Sequence, residues 1–525
     1  LQGGETLTMT GSGTAASANV ANGIAMSNNG NLALADGTGA ASNYSLNSTV
    51  INIAKRVLNS SGSKTYDANT NALAGAITLS NLVSGEALNH SGTATTSSAN
   101  AGSYTISNLS GISIADGSGG AASNYTLTGG THNFTVNRRV VGVSGTRLYD
   151  ATTNAVASDL STHANLVGSQ TLTLSGTGTI ASKDVGSSKT VSVGTLALGN
   201  GSNGGLAANY TLTGGTHQLT VNQRPLNATL ARQYDGTTNA AGSDLSSFDA
   251  LQGGETLTLS GSGTAANDNV ANGISVSSLG SLALVNGTGL ASNYSLNSAA
   301  INITQRVLNS SGSKTYDANT NALAGAITLS NLVSGEALNH SGTATTSSAN
   351  AGSYTISNLS GISIADGSGG AASNYTLTGG THNFTVNPKV VSIQGNKTYD
   401  GNATISAGNI TSVVGTVGTQ TLVISGGSGT VSSANAATYS SSGINVGTLT
   451  LGNGSNGGLA ANYTLTGHAA SSFQVAQRVL SSSGSRIYDG STTASSSDLT
   501  LSNLVGSETL TLSGKGTLAN ANVGT

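Results

Sequence analysis

The sequence predicts an all-β protein, a tandem array of small domains of about 83 residues each, and three observations carry that expectation. The first is a repeat. A Tyr-Asp pair recurs at Tyr66-Asp67, Tyr149-Asp150, Tyr234-Asp235, Tyr316-Asp317, Tyr399-Asp400 and Tyr488-Asp489, at spacings of 82 to 89 residues. The second is an Asn-Tyr pair on the same beat, ending at Tyr44, Tyr125, Tyr210, Tyr294, Tyr375 and Tyr463. The third is apolar alternation with a period of two between clusters of Gly, Asn and Ser, the pattern of half-buried strands joined by turns.

A basic residue opens each unit: Arg56, Arg139, Arg224, Arg306, Lys389 and Arg478. Division there gives complete repeats at 56–138, 139–223, 224–305, 306–388 and 389–477. Residues 1–55 read as the C-terminal part of a repeat and 478–525 as the N-terminal part, so the parent chain is expected to extend on both sides. Residues 56–137 are identical to 306–387, and 1–55 closely resembles 251–305. Three repeats therefore form a longer period of 250 residues, the mark of recent duplication.

Within 139–223, strands are expected at 140–143, 148–150, 170–176, 190–193, 195–198, 209–213 and 218–221. Leu172 and Leu174 alternate with Thr171 and Thr173. A helical reading is confined to one turn around 67–72, where Asn and Thr are poor helix formers. Such a repeat is large enough for its own core, with the tyrosines contributing the largest buried areas. Adjacent repeats have no flexible linker, since Phe134-Thr135-Val136-Asn137 runs straight into Arg138-Arg139, and both prolines, Pro225 and Pro388, lie at junctions. These features predict an elongated rod of β-grasp-like or sandwich-like domains. The alternative is a continuous β-solenoid, whose coils of roughly 20–30 residues would require a subperiod that the repeats lack.

Composition excludes several classes. Charged residues make up only 7% and aromatics 4%, with 74 Gly, no Cys, no Trp and a net charge of -3. There is no basic footprint for nucleic acid and no polybasic membrane patch. No apolar run approaches the ~20 residues of a transmembrane helix. A cysteine-free, hydroxyl-rich chain is expected in a large bacterial exoprotein that folds outside the cell.

The order basic residue, β-run, Tyr-Asp-Gly/Ala, Leu-x-Leu-x-Gly and Asn-Tyr-Thr/Ser-Leu resembles the YDG-type repeats of filamentous-haemagglutinin-like bacterial exoproteins. Lys397-Thr398-Tyr399-Asp400-Gly401 shows it well, whereas Ala68, Ala151 and Ala318 replace the glycine. The resemblance covers nearly the whole chain. It implies a secreted or surface adhesin, used in attachment or biofilm formation, and supplies no active site.

The expected role of each Tyr-Asp pair is structural. The ring packs in the core with its hydroxyl bonded, and the carboxylate caps a turn. The rival reading is a calcium site on Asp67, Asp116, Asp317 and Asp366, prompted by the loop Asp116-Gly117-Ser118-Gly119-Gly120. Hard cations want several oxygen ligands, and the equivalent Asn200-Gly201-Ser202-Asn203 loop has no acid. No cofactor is expected, with calcium as the alternative. Asn43, Asn124, Asn209, Asn293, Asn374 and Asn462 match the glycosylation sequon, or simply precede a strand. His132, His217 and His382 precede the last strand of their repeats and are expected to be exposed, without metal-ligand spacing. No Ser/His/Asp constellation or phosphate loop appears, so no enzyme is expected.

The functional expectation is a stalk or filament segment of a large adhesin on the bacterial cell surface, extending a binding region from the cell. The alternative is an array of carbohydrate- or receptor-binding modules acting by avidity. Expected partners are further copies of the chain in fibres or bundles, a host or biofilm surface met through regions outside this segment, and an outer-membrane secretion partner. Sparse charge on the strand edges motivates the self-association.

Overall fold

The computed structural model describes residues 1–524. Strands make up half of the chain. The helical segments among the described residues are three-residue 3-10 turns such as Ala74–Ala76 and Ala122–Asn124. The chain divides into two compact units. One comprises Leu1–Ala228, Ser247–Gly261 and Ser281–Ala299; the other comprises Thr229–Ser246, Ser262–Gly280 and the chain from Ala300 onward.

In the first unit, the repeat at 56–138 forms one mixed sheet. Its strands lie in the order Ile112–Asp116, Leu88–Thr96, Gly102–Asn108, His132–Asn137, Asn59–Thr65 and Ile77–Ser80, and Asn71–Leu73 pairs with the second of these. The first and last long strands lie side by side and parallel, from His132 opposite Ser60 to Asn137 opposite Thr65. All other long pairings around them are antiparallel. The repeat at 139–223 repeats the plan, with Gly142–Leu148 parallel to His217–Asn222. The first unit also contains the antiparallel pair of Leu257–Ser260 with Ala283–Asn286.

In the second unit, 306–388 and 389–477 show the same parallel pair, Asn309–Thr315 with His382–Asn387 and Ser392–Thr398 with Ser472–Ala476. Asn239–Ala241, Ser262–Ala265, Ala271–Ser278 and residues 300–304 build a further sheet there. Each sheet draws its strands from one repeat and curls toward a barrel. A parallel pair at the centre of a mixed sheet is the β-grasp-like alternative. A sandwich of two antiparallel sheets has no such pair, and a solenoid would pair strands of successive coils.

The strand expectations within 139–223 need correction in detail. Residues 148–150 do not form a separate strand; Gly142–Leu148 is continuous through Gly145. A Cβ at Gly145 would meet the Asp159 carbonyl oxygen at 1.7 Å, so this glycine marks a close backbone approach. The short strands Asn154–Val156, Thr162–Ala164 and Thr177–Ile180 carry too few apolar residues to show a period. Leu172 is buried as its alternation predicts. The turn at 67–72 is not helical, because Ala68 sits at φ +65°, in the left-handed region.

Tyr125, Tyr149, Tyr210, Tyr294 and Tyr375 are among the largest fully buried side chains. Burying a large apolar side chain contributes about 1.5–3 kcal/mol, so these rings matter in a chain so poor in aromatics. In the first unit one continuous apolar cluster runs from Tyr66 and Phe134 through Tyr149 and Leu219 to Tyr294. In the second unit a comparable cluster runs from Tyr316 and Phe384 to Tyr463 and Phe473. Both clusters cross repeat boundaries.

Candidate functional site

The Tyr-Asp signature does two jobs. Asp67 Oδ1 accepts the Asn69 N–H at 3.2 Å, and the same two-residue cap recurs at Asp150, Asp235, Asp317, Asp400 and Asp489. Each of these carboxylates also pairs with the cation three residues earlier: Lys64 at 2.8 Å, Arg147 at 2.6 Å, Lys314 at 2.7 Å, Lys397 at 2.9 Å, and Arg232 and Arg486. Asp67 shows the balance of effects. Burial raises its carboxyl, but Lys64 and the Asn69 N–H outweigh that and hold it below the usual carboxylate range.

The cap throws the next residue into the left-handed region. Gly236, Gly401 and Gly490 sit at φ +73°, +82° and +75°, and Ala68, Ala151 and Ala318 at +65°, +63° and +62°. Alanine therefore keeps the turn of the glycine it replaces and bears the strain of a Cβ there.

The tyrosine faces the next repeat. In the first unit Tyr66 meets Tyr210 edge to face, with centroids 5.3 Å apart, and Tyr149 meets Tyr294 at 5.2 Å. In the second unit Tyr234 meets Tyr375 at 5.5 Å and Tyr316 meets Tyr463 at 5.3 Å. Every pair joins the Tyr-Asp tyrosine of one repeat to the Asn-Tyr tyrosine of the following one.

A single Glu or Gln bridges the two phenols. Gln170 Nε2 donates to the Tyr66 hydroxyl at 2.9 Å, and Tyr210 donates to Gln170 Oε1. Gln420 does the same for Tyr316 and Tyr463. Glu255 accepts from Tyr149 at 2.7 Å and Tyr294 at 2.9 Å, and Glu336 from Tyr234 at 2.6 Å and Tyr375 at 2.7 Å. Lys183 of the preceding repeat adds an ion pair to Glu255 at 2.5 Å. Burial raises the Glu255 carboxyl, but bonds from Lys183, Tyr149 and Tyr294 outweigh it and hold the group below its ordinary value. Burial, followed by the Glu336 bond, pushes Tyr234 up to about 12. Tyr294 also rises to about 12, first through burial.

Two further contacts recur at the junctions, the first where an arginine opens the repeat. The basic residue that opens a repeat reaches back to the tyrosine carbonyl of the preceding one: Arg139 to Tyr66 at 3.3 Å, Arg224 to Tyr149 at 2.8 Å and Arg306 to Tyr234 at 3.4 Å. From Asn124 onward, the asparagine of the Asn-Tyr pair grips a loop of the preceding repeat with both ends of its amide. Asn209 Nδ2 donates to Asn100 Oδ1 at 3.0 Å, while its Oδ1 accepts the Ala101 N–H at 2.8 Å. Asn124, Asn293, Asn374 and Asn462 repeat this on Asn19, Asp184, Asn269 and Asn350.

Asn209, Asn293, Asn374 and Asn462 are buried, Asn124 is half-buried and Asn43 is exposed. A glycan on the Asn209 amide nitrogen is incompatible with this contact.

The Asp116 and Asp366 carboxylates accept the N–H of Ala122 and Ala372, each at 2.7 Å. Asn200 and Asn453 fill the same role for Ala207 and Ala460, each at 2.8 Å, so the position requires an acceptor and no charge. The structure does not gather Asp67 with Asp116, or Asp317 with Asp366, into a donor set. No cluster of three His, Cys, Asp or Glu suited to a cation occurs among the described residues.

The histidine expectation is overturned: His132, His217 and His382 are buried. His132 Nε2 donates to the Leu127 carbonyl at 2.8 Å and Nδ1 shares a hydrogen bond with the Ser60 hydroxyl at 2.9 Å, which ties the last strand to the first.

The bridging position escapes a reading of the Tyr-Asp motif alone, although a Glu or Gln recurs there 20 or 21 residues after each Tyr-Asp tyrosine, at Glu86, Gln170, Glu255, Glu336, Gln420 and Glu508; Glu86 and Glu508 each hold one tyrosine, Tyr125 and Tyr399. A glycine four residues before that tyrosine, at Gly62, Gly145, Gly312, Gly395 and Gly484, is a second visible signal.

These features define a tandem array of small β domains joined by tyrosine clamps. A family model described as the YDG domain matches residues 54–132, 135–218, 216–302, 299–383 and 476–525. The chain belongs to this family. No curated protein matches it.

Proposed function

We propose that the chain is a stalk or filament segment of a large secreted bacterial surface adhesin, filamentous-haemagglutinin-like in kind, which carries a binding region away from the cell for attachment or biofilm formation. The observation that supports this reading most is the junction. Within each unit the buried cores of successive repeats run together through paired tyrosines. A joint so filled resists bending, because a hinge there would expose apolar rings and leave buried phenols without partners. The identity of 56–137 with 306–387 fits a spacer, in which length matters more than local detail.

Small-angle scattering on the purified chain, with and without a calcium chelator, tests the spacer reading. A rod profile unchanged by chelation is expected. A flexible-chain profile, or one that stiffens with calcium, would overturn it. Surface labelling of the producing cell tests the extracellular placement.

A further inference from the structure

The placement of first and last strands has a mechanical consequence. In 56–138 the chain enters at the N-terminal end of Asn59–Thr65 and leaves at the C-terminal end of His132–Asn137. The two strands are adjacent and parallel over six paired positions, so these points lie at opposite ends of one ladder. Tension between them slides one strand along the other, and every bond of the ladder is loaded at once. In an antiparallel hairpin the two free ends lie together, and tension opens the bonds one after another.

We propose that the repeats at 56–138, 139–223, 306–388 and 389–477 are load-bearing shear clamps, which make the chain a tether that resists pulling along its length. The same parallel register spans Val143–Leu148 against His217–Asn222, Ser310–Thr315 against His382–Asn387, and Gln394–Thr398 against Ser472–Ala476. The signature tyrosine locks the end of each ladder. The N–H groups of Tyr66, Tyr149, Tyr316 and Tyr399 donate to Asn137, Asn222, Asn387 and Ala476 at 2.8–2.9 Å. His132 and His382 pin the other end through Ser60 and Ser310, each at 2.9 Å. The rings behind the ladder, Phe134, Phe384 and Phe473, are buried, so water does not readily replace the bonds as they strain.

The inference goes beyond the spacer reading, which needs length and stiffness but no strength. Scattering reports the one and force reports the other, so either can fail alone.

Single-molecule pulling of the full chain from its termini tests the clamps. Discrete ruptures are expected, each releasing roughly 250–280 Å, which is about 83 residues at ~3.3–3.6 Å per residue less a folded span of ~20 Å. The control uses a second direction in the same fold. The chain has no cysteine, so Ser91→Cys with Ser113→Cys gives unique handles on exposed residues directly opposite each other in an antiparallel pair. That direction pulls the antiparallel pair apart across its bonds, and its first rupture is expected at roughly half the force or less, since forced opening follows the unfolding barrier along the loaded path. Equal forces in the two directions, or smooth extension without steps from the termini, would overturn the proposal.

Discussion

The junctions at Tyr66 and Tyr149 hold the same two rings in the same edge-to-face contact, yet bridge them with different chemistry. Gln170 gives one proton and takes one: its amide nitrogen donates to Tyr66 and its carbonyl accepts from Tyr210. Glu255 only accepts, so both Tyr149 and Tyr294 donate to it, and Lys183 balances its charge. Ring packing is thus the shared element and the bridge is the variable one. A neutral amide suffices to satisfy two buried phenols, and a carboxylate adds charge dependence. Along the chain the position is held in turn by Glu86, Gln170, Glu255, Glu336, Gln420 and Glu508, so both kinds recur.

If the rings dominate, removing one should cost the same at either junction. Tyr149→Ala and Tyr66→Ala are each expected to destabilise the flanking repeats by about 3–5 kcal/mol, the range for large aromatic truncations. Hydrogen exchange of the repeats on both sides reads this directly, and loss confined to one repeat would break the comparison.

Truncating the bridge should separate the two junctions. Glu255→Ala leaves two phenols without an acceptor and is expected to cost about 2–3 kcal/mol, against about 1–2 kcal/mol for Gln170→Ala. Denaturant titration followed by exchange at each junction checks the order.

The turn beneath the tyrosine offers a smaller, signed effect. Ala68→Gly relieves a left-handed alanine and should stabilise its repeat by about 1 kcal/mol, while Gly401→Ala should destabilise by about as much. Thermal melts of both variants check the signs.

Glu255→Gln should have the smallest effect at neutral pH, because the amide can bridge both phenols as Gln170 does. Its effect lies in the pH profile. The Glu255 carboxyl is held below its ordinary value in the folded chain, so its stabilisation is complete above the unfolded pKa and is lost as pH falls through the folded one. The variant should lose that acid-dependent component, and an unchanged acid profile would remove the distinction between the two junctions.

Much of the fold is legible in the sequence because turn chemistry and strand alternation are local. Leu172 alternates and is buried, and Tyr-Asp is a tyrosine in the core above a capped turn. Gly145 misleads because its reason is non-local: it reads as a turn, yet it permits the Asp159 carbonyl to press on a continuous strand. His132 misleads similarly, since polar residues before a strand usually face water, and only the Ser60 and Leu127 partners show why it does not. The junction escapes single-repeat reading altogether. Asn209 touches Asn100, more than one hundred residues away, and nothing within either repeat announces the other.

The family signature couples neighbouring repeats, and a double-mutant cycle between Tyr149 and Tyr294 measures that coupling across a boundary. The singles Tyr149→Leu and Tyr294→Leu and their double, read by the stability of the two repeats concerned, should give a coupling of about 0.5–1.5 kcal/mol, as for other edge-to-face pairs. Additive effects, with no coupling across the boundary, would contradict it.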